Sequence, residues 1–252
     1  MISFLTILYG LLFGSFLNVC IYRIPRKESI AFPPSHCPNC QQPIKAYDNV
    51  PVLSFLMLRG KCRSCKAAIS WRYPMIEMLT AFLFWCVVTR FSVTWAAAAY
   101  LILTAMLIVI SLIDFDFMII PDVISLPGIL LGLAASFVIP RDFSDALLGM
   151  LLGGGMIWSV GMLGERVFKK EAMGGGDVKL MAMVGAFLGW KLVLIAIFFA
   201  SVIGAAVGVA FKLATGKEYI PFGPFLSIGA LCALFFGEQL MRWYLTFLIP
   251  AG

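Results

Sequence analysis

Long apolar runs, broken at intervals by short polar clusters, set the pattern of this chain. Runs near residues 2–22, 73–90, 94–113, 123–139, 145–164, 178–190, 192–211 and 222–238 each approach the ~20 apolar residues that one helical crossing of a bilayer takes. Eight such runs predict about eight transmembrane helices, with the residues up to Gly252 extending the last one. The run at 178–190 is the weakest, being short and holding Gly185 and Gly189. A transmembrane barrel is excluded, because its strands would alternate polar and apolar positions. The first run has no basic residues ahead of it and no small-residue cleavage site, and it ends in Arg23. It is expected to be a retained span and not a removable signal.

Composition agrees with the pattern. Of 252 residues, 62% are hydrophobic and 13% charged, and the mean hydropathy of +0.98 excludes a water-soluble domain. The expected fold class is therefore an all-α polytopic membrane protein with a cytoplasmic, zinc-ribbon-like loop domain. Its divisions are a first helix at 1–22, a four-cysteine basic loop at 23–72 and a seven-helix membrane segment at 73–252.

Charge orients these elements. Residues 23–72 hold nine basic and two acidic side chains, a balance of +7, whereas the rest of the chain balances at −1. Under the positive-inside rule the basic loop stays in the cytoplasm, and so do the connections at 114–122, 165–177 and 212–221. These inner connections add Arg166, Lys169, Lys170, Lys212 and Lys217, with Lys179 just inside the sixth span. Topology and contact with anionic lipid account for the basic residues, and no nucleic-acid partner is needed.

Four of seven cysteines lie in that loop, as Cys37-Pro-Asn-Cys40 and Cys62-Arg-Ser-Cys65, with 21 residues between the pairs. Two such knuckles suit tetrahedral thiolate binding of one zinc ion. A disulfide is disfavoured in reducing cytosol, and a redox pair would not need two copies. Lys61, Arg63 and Lys66 would offset the thiolate charge. Cys20, Cys86 and Cys232 fall in spans and are expected to pack as small apolar residues.

Small residues within the spans are expected to bring helix backbones together. These are Gly149 and Gly153, extended by Gly154 and Gly155, and Gly204 with Gly208.

Carboxylates at a membrane edge are costly and therefore functional candidates: Glu77, Asp114, Asp116, Asp122 and Asp177. Asp122 follows Pro121 and precedes an apolar run, the place of a helix N-cap. Asp177 follows Gly174, Gly175 and Gly176, more glycine than a cap calls for, which leaves room for another chain to lie close. Asp114 and Asp116 are two residues apart, so only one faces inward, and composition does not choose between them. Two carboxyls brought together share a proton, one activating water and the other polarising a carbonyl, which is aspartic-protease chemistry. In such a pair Asp177, at a helix start, would be the ionised base and its partner the acid.

These features together resemble the type IV prepilin peptidase family, membrane aspartic proteases with a GxGD motif. The resemblance rests on Gly14 to Pro25 (GSFLNVCIYRIP), both cysteine knuckles, Arg72 to Glu77 (RYPMIE), Leu112 to Asp122, Gly174 to Lys179 (GGGDVK) and Pro221 to Pro224 (PFGP). It implies catalysis by Asp114 and Asp177 at the inner face of the bacterial cytoplasmic membrane, with prepilins or pseudopilins as substrates. Gly174, Gly175, Gly176 and Lys179 would support the substrate. It also implies S-adenosylmethionine-dependent methylation of the new N-terminus. No dinucleotide-type glycine fingerprint is present for that cofactor, and Glu77 is the candidate to handle the amine, unless it pairs with a basic loop residue. The rival readings are an ion-coupled transporter and a non-catalytic assembly scaffold.

Overall fold

The computed structural model describes residues 1–168, 173–216 and 220–248. Lys169, Lys170, Lys217 and the expected extension over 249–252 lie outside the described residues, as does part of the glycine-containing connection before Asp177. The chain forms two compact units, Met1–Val93 and Thr94–Gly252.

In the first unit α1 (Ile2–Arg23) packs on α3 (Arg72–Phe91). The packing is close because Gly10 and Gly14 lie on the α3 backbone at Ala81 and Glu77; a Cβ at either glycine would come within about 2.6 Å of a Cα atom. Asn18 adds a bond to the Tyr73 carbonyl at 3.2 Å. The loop between them holds a 3₁₀ turn (Ala46–Asp48), a short helix α2 (Leu53–Met57) and the two cysteine knuckles. The expected division at residue 72 assigned 73–91 to the membrane segment that follows, whereas packing groups α3 with α1.

The second unit comprises α4 (Trp95–Phe117), α5 (Asp122–Ala135), α6 (Phe143–Phe168), α7 (Gly175–Thr215) and α8 (Gly223–Leu248). Thr94 starts α4, its hydroxyl accepting from the Ala97 N–H at 3.1 Å. Met118, in the left-handed conformation, ends it and donates to the Asp114 carbonyl. Among the described residues six helices are long and apolar enough to cross a membrane: α1, α3, α4, α6, α7 and α8. Among the described residues there is no β-strand. The molecule is a helical, multi-pass membrane protein.

Two expected spans, 178–190 and 192–211, form one continuous element. At 41 residues α7 would reach ~60 Å if straight. Gly189 breaks it, with φ 80° and ψ 172°. The first arm packs on α6, where Gly185 meets Gly149 and Met181 meets Gly153. The second runs back along α8, with Leu192 beside Gly237, Ala196 beside Gly229 and Gly204 beside Phe222. The chain therefore reverses at a single residue. Arg141 steadies the turn by donating to the Ala186 carbonyl at 2.5 Å. Asp145 lies where a Gly189 side chain would go.

Several local expectations change. Pro121, not Asp122, is the N-cap of α5; Asp122 occupies the first turn and makes no capping bond. At 14 residues α5 is shorter than the expected run and than a full crossing. Gly155 and Gly208 face open space, so the packing glycines are Gly149, Gly153, Gly154 and Gly204.

Candidate active site

Asp114 sits in the last turn of α4 and Asp177 in the first turn of α7, the two helices packing together in the second unit. Both are buried, at 6% and 9% exposure, and Asp114 is the charged neighbour that acts on the Asp177 carboxyl. Asp116 is exposed. The inward aspartate is thus Asp114, as helical spacing requires of one member of that pair.

Backbone N–H groups hold both carboxyls. Oδ2 of Asp114 accepts from the Gly223 N–H at 2.9 Å, at the N-terminus of α8. Asp177 is the third residue of α7 and reaches back to the backbone of its N-cap, Gly174. That is the reach-back half of a capping box, with aspartate as the third residue and, because the N-cap is glycine, no side chain to return the bond. Each carboxylate therefore faces the positive end of a helix. The asymmetry expected from the sequence, with Asp177 alone so placed, is absent, because the role of Gly223 was hidden 109 residues away from Asp114.

The three glycines before Asp177 differ. A Cβ on Gly176 would lie 2.8 Å from Ile120, so close packing accounts for it. Among the described residues, nothing lies within 4 Å of a Cβ placed on Gly175, and only the Asp177 carboxyl and the Gly176 amide lie near one on Gly174. Lys179 points elsewhere, binding both oxygens of Asp122 at 2.7 and 2.8 Å and tying α7 to the start of α5.

In the first unit the sulfurs of Cys37, Cys40, Cys62 and Cys65 lie within 4.8 Å of one another, and this cluster could hold a metal ion. The Cys37 to Cys65 separation is 3.8 Å, the edge of a tetrahedron with bonds of about 2.3 Å, as zinc–thiolate bonds are. The knuckles share one shape. In each, the residue after the second cysteine, Gln41 or Lys66, takes a positive φ and donates to the first cysteine's carbonyl. The Ala67 N–H and the Asn39 amide pull Cys65 down to about 6. The Gln42 N–H favours the Cys40 thiolate, yet burial and its cysteine neighbours push it up to about 11. Four thiolates together call for a cation. Arg63 is committed to Asp48, which it grips with contacts of 2.6 to 3.0 Å, so of the expected neutralising cations it already has a carboxylate of its own.

Glu77 is buried in the first unit, where it accepts from the Val52 N–H at 2.8 Å and from the Ser15 hydroxyl. Those partners are neutral. The pairing with a basic loop residue that the sequence left open is not what holds it.

Comparison with known proteins follows the same division. Residues 8–91 match the Bacterial Peptidase A24 N-terminal domain, and residues 101–209 match the Type IV leader peptidase family. Proteins named prepilin leader peptidase/N-methyltransferase resemble the chain over nearly its whole length. The one from Pseudomonas aeruginosa is 42% identical over 96% of this chain and 93% of its own. The one from Aeromonas hydrophila is 38% identical with the same coverage. The Neisseria gonorrhoeae protein is 36% identical over 94% and 92%. The chain belongs to the type IV leader peptidase family. No solved structure matches it. Both aspartates fall in the segment matched to the leader peptidase family, and the cysteines and Glu77 fall in the N-terminal family domain.

Proposed function

We propose that this protein removes the leader of type IV prepilins or pseudopilins with Asp114 and Asp177 as its catalytic pair. It then methylates the exposed amine. The observation that carries the reading is the meeting of two buried carboxyls from the end of α4 and the start of α7, both held by backbone amides.

The pair holds one proton between its two acids. The ionised member takes a proton from water as its oxygen attacks the scissile carbonyl carbon, and the protonated member gives its proton to the carbonyl oxygen. Collapse of the tetrahedral diol then breaks the C–N bond, the amine leaving with a proton from the pair. The space that the described residues leave at Gly174 and Gly175 suits an extended substrate backbone. Lys179, engaged with Asp122, supports the α5–α7 contact beside the pair.

Glu77 takes the proton released when the new amine is alkylated, its carboxyl held by Val52 and Ser15. When bound, S-adenosylmethionine would supply the methyl group from its sulfonium, which becomes a thioether. Cys37, Cys40, Cys62 and Cys65 would hold a structural zinc ion, which would supply folding energy to a loop with little apolar core. By the positive-inside rule the basic loop and the aspartates face the cytoplasm across the inner membrane. A transporter is not favoured, since its ionisable groups belong at the bilayer midplane.

The test is product mass after incubating the purified protein with a prepilin and S-adenosylmethionine. Leader loss plus one methyl group is expected, with cleavage reduced by on the order of 10³ or more in Asp114→Asn and in Asp177→Asn. Cleavage that survives either substitution would overturn the pair.

A further inference from the structure

A cavity of about 310 Å³ opens in the first unit beside the end of α1, walled by Ser15, Phe16, Arg23, Pro33, Asn49 and Pro51 among others. Its one charged wall residue is Arg23, which is 6% exposed. The guanidinium donates to the carbonyls of Ser29 at 2.8 Å and Pro33 at 2.7 Å. Among the described residues no carboxylate pairs with it. Two carbonyl dipoles orient a buried cation but leave its charge uncompensated, so an anion is the partner the site lacks.

The wall of this cavity also reaches Glu77. Ser15, a wall residue, bonds the Glu77 carboxyl, and Val52, whose N–H bonds the same carboxyl, follows the wall residue Pro51. The relatives' names carry two activities, and the aspartate pair lies in the leader peptidase segment. On the reading proposed above, in which Glu77 handles the amine, methyl transfer belongs to Met1–Val93. The volume is at the lower end of small-molecule pockets, which run from about 300 to 1,000 Å³. The lining suits an amphipathic guest: apolar faces at Phe16, Val19 and the prolines, polar atoms at Ser15 and Asn49, and one cation.

We propose that this cavity is the binding site of the methyl donor, with the carboxylate of its amino-acid end on Arg23. Phe16 and the prolines take its apolar body. The inference rests on the methyl-transfer reading above and adds where the donor is held.

The experiment measures binding of radiolabelled S-adenosylmethionine to the full-length protein in detergent by equilibrium dialysis, then maps ultraviolet cross-links by mass spectrometry. Cross-links within residues 12–51 are expected. Arg23→Gln is expected to weaken binding tenfold or more and Arg23→Lys less. Ala31→Trp, which narrows the cavity from its rim, weakens it too, with thermal midpoints within a few degrees of wild type. Cross-links confined to residues 94–248, or wild-type affinity in both Arg23→Gln and Ala31→Trp, overturn the site. So does a bound phospholipid that Arg23→Gln releases while donor affinity stays unchanged. A methylated product alongside any of these results means the site alone is wrong. No donor binding and no methylated product in wild type means the methyl-transfer reading itself has failed.

Discussion

The backbone N–H of Gly223 donates to Oδ2 of Asp114 at 2.9 Å across 109 residues of chain. This bond fixes the carboxyl at the start of α8, and it needs glycine. A Cβ at position 223 would sit 2.6 Å from that oxygen and 3.1 Å from the Asp114 Cγ. Gly223→Ala is expected to lower kcat for leader cleavage about 10- to 100-fold, somewhat less than deletion of a whole oxyanion-hole donor, with a smaller change in KM. Steady-state cleavage of a prepilin checks it, and a kcat within twofold of wild type would show that the bond does not position Asp114.

Zinc content is the next quantity to measure. One ion per chain is expected, with X-ray absorption fitting four sulfurs at about 2.3 Å. Removing it with a chelator should raise hydrogen exchange at the knuckle amides of Gln41 and Lys66, which close the two turns. A sub-stoichiometric ion with oxygen ligands, or exchange that ignores the chelator, would exclude a structural centre.

Asp122 and Lys179 make an ion pair at 2.7 Å with both side chains well exposed. Exposed pairs contribute about 0.2–1 kcal/mol and weaken with salt. Asp122→Asn should therefore lower the thermal midpoint slightly at low ionic strength and hardly at all in 1 M salt. The double exchange Asp122→Lys with Lys179→Asp should recover the loss. A drop of many degrees that persists in high salt would mean that Asp122 does something besides pairing.

The Asp48–Arg63 pair sets a pH dependence. Arg63 holds the Asp48 carboxyl below its ordinary value of 3.8. The pair's contribution is then complete above the ordinary carboxylate range and is lost as pH falls below it, through the lowered folded value. The difference in loop stability between wild type and Asp48→Asn should be constant from about pH 8 to 5 and shrink below about pH 4. Hydrogen exchange of residues 46–66 at several pH values measures it. A difference that persists unchanged at pH 3 contradicts the assignment.

Hydropathy made the eight apolar segments legible because each is a local run, and the cysteine spacing made the metal cluster legible because ligand chemistry restricts it so closely. What stayed hidden depends on partners distant in sequence. Asp122 looks like a helix cap next to Pro121, and only folding brings Lys179 to it, 57 residues on. Gly223 lies in a recognisable PFGP stretch, yet nothing local says that its amide serves Asp114. Arg23 passes for a topology signal at the end of a span until the loop carbonyls of Ser29 and Pro33 close over it. The reversal at Gly189 was half visible. Two glycines weakened that run, but its length gave no sign that the turn would be one residue long.

That one-residue reversal bears on how the protein can be engineered. Gly189 has no slack, as Arg141 and Asp145 close on it from outside and its own φ of 80° excludes most side chains. An epitope tag or reporter inserted there would have to pry apart the two arms of α7, one of which carries Asp177 in its first turn and the other of which reaches Phe222 beside Gly223. The reversal thus keys both arms to the aspartates from the far end of the bundle, and topology reporters are better placed between α5 and α6, at the exposed Phe137 and Val138.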